Sequence, residues 1–221
     1  MRIGIELNGV LRDTIGKFTQ IYEKLVLEQS ELDTVHKFES TIGDDDFQEV
    51  FDDTSKEFKY EIKSDVTSLN LLDHFSFASN EELYEFMYEE HAMSIFGHAS
   101  SAEYSTFHDL QDIYLKYRDK HELLIVSDEM GKSKPASLFF ISKFGCQIEK
   151  IKFYSQLTLN SMWNEIDILL TANPDLLLNH PQNKIVVKYE TKYNKHVSSP
   201  YTISSIKEFE TMLENILKQY A

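Results

Sequence analysis

Beyond residue 121 the sequence alternates short apolar runs with amphipathic stretches, and that alternation leaves few architectures open. The run LLIVS ending at Ser127 is continuously apolar, as a parallel strand buried on both faces requires. A helix is predicted from Pro135, KPASLFFISKFG, closed by Gly145. Residues 148–154 alternate as a further strand, 157–165 read as a short helix, and DILLT (167–171) reads as the next strand, followed by a turn at Ala172-Asn173-Pro174. KIVVKY (184–189) is another strand. A helix over 204–219 closes the series, with Ile206, Phe209, Met212, Leu213, Ile216 and Leu217 on its apolar face. Strands that alternate with helices imply a Rossmann-like α/β fold, a parallel sheet with right-handed crossovers.

The first fourteen residues, MRIGIELNGVLRDT, have the same strand character. Ile3, Ile5 and Leu7 form an apolar strand, Gly9 allows a sharp turn, and Val10 and Leu11 resume apolar packing. Residues 14–29 then place Ile15, Phe18, Ile21, Tyr22 and Leu25 at helical spacing. The polar stretch 30–65, with Asp44 to Asp46 in a row and Asp52-Asp53 after it, reads as surface loop and short helices. After the short apolar segment 68–77, Ser79-Asn80-Glu81-Glu82 reads as a helix start. That helix runs to about Gly97 and is rich in aromatics and Met, and another follows over 105–120. No convincing strand falls between 15 and 120. The expected organisation is therefore an α/β core of 1–14 and 121–221 with a mostly helical insertion of 15–120.

A formal net charge of −15, from 37 acidic against 22 basic residues, argues against bare nucleic acid or an anionic membrane as partner and leaves a basic partner or a cation open. The lone Cys146 allows neither an internal disulfide nor a Cys-rich metal site, which fits a reducing cytosol. No run approaches the roughly 20 apolar residues of a membrane span, and no secretory signal is read at the start. A soluble, cytoplasmic protein is expected.

The strand and turn at 1–14 resemble the opening motif of the haloacid dehalogenase (HAD) superfamily of phosphohydrolases: apolar residues, then Asp-x-Asp-Gly, often followed by Asp-Thr. Glu6 and Asn8 stand here at the two aspartates, and Asp13-Thr14 follows. Ser127 matches the second motif. DILLTANPDLL resembles the fourth motif of the 5'-nucleotidase-like branch, with Pro174 and Asp175 present and Thr171 and Ala172 in place of the acidic pair. The third-motif lysine is expected near Gln156, where none stands, and Lys132 and Lys134 come too early. The resemblance implies a HAD-like core with a helical cap after strand one.

It also implies what chemistry is missing. Phosphoryl transfer of this kind needs a carboxylate nucleophile in line with phosphorus, a second carboxylic acid for the leaving oxygen, and Mg2+. Glu6 carries its carboxylate one methylene further out, and a misplacement of about 1 Å can reduce rate roughly a hundredfold. Asn8 cannot exchange a proton near neutral pH, which removes a factor of roughly 10^2 to 10^4. Thr171 and Ala172 offer Mg2+ a hydroxyl and a methyl where carboxylates are wanted. No catalytic residue, cofactor or metal is therefore expected.

Other constellations have plainer readings. His74, His91, His98 and His108 lack the i, i+4 pairing of a zinc site, and Asp44 to Asp46 lack the spaced ligands of a calcium loop. Ser127 could still bind an anion with neighbouring N–H groups, although a turn cap is the simpler role. Phe86, Met87, Tyr88, Met93 and Phe96 form either a partner groove or core, with core preferred, as for Trp163. The expected function is that of a catalytically inactive HAD-like protein, a structural or interaction component contacting other protein chains, with a bacteriophage virion or assembly as one setting. The alternatives are an Mg2+-dependent phosphatase acting through Glu6 and a nucleotide-binding sensor without turnover.

Overall fold

The apolar runs become the strands of one six-stranded, all-parallel sheet in the order β3-β2-β1-β4-β5-β6. The computed structural model describes residues 1–42 and 61–220. The strands are β1 (Arg2–Glu6), β2 (Glu122–Asp128), β3 (Lys150–Tyr154), β4 (Ile168–Thr171), β5 (Ile185–Tyr189) and β6 (Thr202–Ile203). The helices are α1 (Thr14–Ile42), α2 (Asn80–Tyr84), α3 (Thr106–Tyr117), α4 (Ser133–Lys143), α5 (Leu159–Glu165), α6 (Pro174–Leu178) and α7 (Ile206–Gln219). This is an α/β, Rossmann-like arrangement. Strand order reverses between β1 and β4, which pair Ile3 with Ile168 and Ile5 with Leu170. Crevices at such reversals, beyond the carboxyl ends of the strands, are where ligands bind in sheets of this kind.

Period-two alternation assigns each strand residue to a face. Ile3, Ile5, Ile125, Leu170 and Val187 join α3, α4 and α7 in one core, while Leu124, Val126, Leu169 and Val186 join α5 and α6 through Met162, Trp163, Leu176 and Leu177 in another. Trp163 is thus a core residue. Although α3 lies within 15–120, it packs on the sheet in the first of these cores.

A third core is aromatic. Phe18 and Tyr22 of α1 meet Phe75, Phe77 and Phe86, with Phe18 edge-on to Phe75 at 4.8 Å and Phe77 edge-on to Phe86 at 5.2 Å. Met87, Ile95 and Phe96 complete it, with Ala136 of α4 beneath. Core packing therefore holds for Phe86, Met87 and Phe96, whereas Met93 is 45% exposed.

Several sequence expectations are corrected. The first helix does not stop near Gln29 but runs on to Ile42; residues 30–42 are mostly polar yet contain neither Gly nor Pro to break the helix. The helix expected over 79–97 keeps its Ser79 cap, whose Oγ accepts the Glu82 N–H at 3.3 Å. It widens into two π-helical turns, Glu85–Glu90 and Met93–Gly97, in which His91 and His98 N–H donate five residues back to Phe86 and Met93. Pro135 is the third residue of α4 rather than its first, and Gly145 (φ 63°) follows its end. The turn at Ala172-Asn173-Pro174 is the cap of α6: the Asn173 side chain accepts the Asp175 N–H at 2.9 Å. β6 was not expected from sequence. The acidic residues Asp44 to Asp46, Asp52 and Asp53 lie outside the described residues.

Candidate functional site

The loop after β1 builds the site. Leu7 N–H donates to Val126 O at 2.8 Å, extending the strand, and the N–H groups of Leu11 and Arg12 both return to Leu7 O. Gly9 makes this reversal possible at φ 77°, and a Cβ there would stand 2.0 Å from the Tyr193 hydroxyl. Gly9→Ala is accordingly expected to lower stability by about 1–3 kcal/mol and to displace Tyr193, measurable as a lower midpoint in urea. The reversal folds Arg12 back under Asn8.

Four positions singled out from sequence converge at the carboxyl ends of β1, β2 and β4. Glu6 is buried, and both its oxygens are engaged: Oε1 accepts the Tyr154 hydroxyl at 3.0 Å, while Oε2 accepts the Thr171 hydroxyl and the Ala172 N–H, the latter at 3.2 Å. Burial pushes its carboxyl up to about 7 against these donors. Asn8 Oδ1 accepts from Thr14 at 2.8 Å and from the Arg12 guanidinium at 2.5 and 3.2 Å. Its amide donates to Ser127 Oγ at 3.4 Å and to Asp128 O at 3.3 Å. Ser127 in turn donates to Glu129 Oε1 at 2.8 Å, which makes it an internal link and not an anion cradle. Ala172 contributes only its backbone N–H.

Three participants were not foreseen. Arg12 and Glu129 form an ion pair at 2.7 Å with both side chains fully buried, and Tyr154 closes over Glu6. Arg12 also donates to Phe96 O at 2.9 Å and Ser137 Oγ at 2.7 Å and lies 5.0 Å from the Phe96 ring. Burial lowers its pKa while Glu129 raises it. Glu129 Oε1 collects Arg12, Ser127 and Ser137, and its Oε2 has no partner among the described residues. The only sequence signals were an arginine inside an otherwise apolar turn and a glutamate two places after Ser127.

These residues do not fit Mg2+. The ion needs near-octahedral oxygen ligands, usually with one or two free carboxylates. Glu6 has no oxygen to offer without breaking bonds to Tyr154, Thr171 or Ala172, and Asn8 Oδ1 already faces a guanidinium. Among the described residues no group of three or more His, Cys, Asp or Glu is placed to hold a metal. The histidines are occupied separately: His74 bonds Ser64 and Ser68 through its two ring nitrogens at 2.8 and 3.0 Å, His91 packs on Phe86, His98 on Phe139, and His108 faces Asp112 at the surface.

Above this floor a cleft of about 470 Å3 opens beside Glu6 and Asn8, with Gln156 and Asp175 on its walls. Gln156 is where a lysine was sought, so the cleft lacks that cation. Lys132 instead pairs with Glu89 at 3.1 Å. Gly9 and Tyr193 separate this cleft from another of about 500 Å3 bordered by α1 and Lys192. No protein-family model matches the chain, and no curated protein matches it. Among the described residues, no helix is long and apolar enough to cross a membrane.

Proposed function

We propose that the chain is a catalytically silent relative of the HAD phosphohydrolases that acts by binding, as a structural or interaction component for other protein chains, with a bacteriophage virion or assembly as one setting. The observation that supports this is the hydrogen-bond closure of the floor. Glu6, Asn8, Ser127 and Thr171 each face partners inside the protein, so none of these four positions offers the cleft a free nucleophile or acid. A net charge of −15 favours basic surfaces as partners.

The test is hydrolysis of p-nitrophenyl phosphate and of a nucleoside monophosphate with Mg2+. No turnover above buffer is expected from the parent chain or from Glu6→Ala. Turnover by the parent that disappears in Glu6→Ala would overturn the proposal in favour of an active phosphatase. Retained binding of a nucleotide without turnover is a second reading, favoured by the open cleft. The acidic lining of that cleft speaks against a phosphate as its occupant.

A further inference from the structure

The cleft has the opposite charge character to a phosphate site. Glu6, Asp128 and Asp175 bring three carboxyl groups to its lining, and none of the described residues lining it is Lys, Arg or His. The nearby guanidinium of Arg12 is buried beneath the floor and held by Glu129. A phosphate would meet carboxylates with no compensating cation, which is unfavourable in a partly dehydrated site.

Among the described residues, neither the Asp128 carboxylate nor the Tyr88 hydroxyl at the cleft has a hydrogen-bond partner. Asp128, half-buried at the end of β2, makes no hydrogen bond or ion pair through its carboxylate, and burial beside Glu129 raises its pKa to about 6. Tyr88 is partly buried; desolvation together with Asp128 and Glu129 raises its pKa. Both groups face the cleft and remain accessible from it, so a ligand's donor can reach an acceptor that no protein group occupies. Alongside them stand the rings of Tyr84 and Tyr88, tilted with centroids 5.2 Å apart. Aromatic faces beside a carboxylate favour a cation over an anion or a neutral group.

We infer that this cleft receives an amine or guanidinium cation carried on an apolar body, its charge set between Asp128 and the Tyr84–Tyr88 pair. The inference rests on the chain being a binding protein, and the cation can come from a free amine or from a basic side chain of a partner. The lining supplies an acceptor for the N–H donors and apolar walls at Leu83 and Met87 for the body.

Calorimetric titration near pH 7.5, where alkylamines are protonated, tests this with four probes: benzylamine, benzyl alcohol, inorganic phosphate and a blocked Ala-Lys-Ala tripeptide. Benzylamine is expected to bind at least about tenfold more tightly than benzyl alcohol, and phosphate is expected to give no binding heat. Asp128→Asn, close in shape and free of a buried charge, is expected to weaken benzylamine about tenfold with a melting temperature no lower than the parent's. Tyr84→Leu, at an exposed ring, is expected to weaken it severalfold. Tripeptide binding would identify a partner's lysine as the source, and benzylamine binding alone would identify a free amine. Equal affinity for the alcohol, binding of phosphate in preference to amine, or an unchanged Asp128→Asn would overturn the inference. Absence of amine binding with turnover also absent would overturn it and leave the silent-scaffold proposal standing, whereas Mg2+-dependent turnover would overturn that proposal.

Discussion

Arg12→Met is expected to destabilise the protein by about 3–5 kcal/mol, the typical effect of stranding one member of a buried ion pair. The variant leaves Glu129 without its cation in a site with no solvent access, while Asn8, Phe96 O and Ser137 each lose a donor. Arg12→Lys should not rescue it. An ammonium cannot reproduce a planar fork that reaches five acceptors from one position. Arg12→Met combined with Glu129→Gln is expected to recover part of the loss, because no uncompensated charge then remains. Urea denaturation of the four proteins measures this, and a single Arg12→Met variant within about 1 kcal/mol of the parent would show that the pair does not hold the loop after β1.

The second large effect concerns Glu6 and acidity. Its carboxyl titrates near 7 in the folded protein against 4.5 as an ordinary glutamate, so the native state holds that proton more tightly than the unfolded chain does. The stabilisation from this group is fully present at low pH, diminishes as pH rises from about 4.5 through about 7, and amounts to about 3 kcal/mol. Glu6→Gln imitates the protonated form: its oxygen can face Thr171 and Ala172 while its amide donates to the Tyr154 oxygen. The variant is therefore expected to match the parent near pH 4.5 and to exceed it increasingly up to pH 7. Stability curves that run parallel across this range would refute the assignment.

Much of this fold is legible in the sequence because parallel strands buried on both faces are written as uninterrupted apolar runs. LLIVS and DILLT could be placed within a residue or two for that reason. β6 escaped notice because Thr202 and Ile203 are too few to establish any period. The π-helical turns escaped because a repeat of 3.6 residues was assumed across 79–97, whereas the neighbouring pairs Phe86-Met87 and Ile95-Phe96 both end up buried. Glu6, Asn8, Ser127 and Thr171, each singled out in the sequence, converge because strand ends in such sheets meet at one edge. Arg12 was not. A charged residue between Leu11 and Asp13 reads as solvated until its distant counter-ion is known, and Glu129 lies more than a hundred residues away.

The position of β1 also bears on how the molecule is assembled during translation. It precedes the other strands of the sheet, yet Arg2 waits for Glu122 and Ile3 for Ile168 before either flank can hydrogen-bond. At ribosomal speeds that interval is on the order of ten seconds, during which Ile3 and Ile5 present an unsatisfied ribbon to the cell. Phe18, Tyr22, Phe75 and Phe86 can gather earlier, being closer together along the chain. Nascent structure is thus expected to nucleate in the aromatic cluster, with the sheet closing from its centre once β4 emerges, and the newborn chain is expected to depend on chaperones until then.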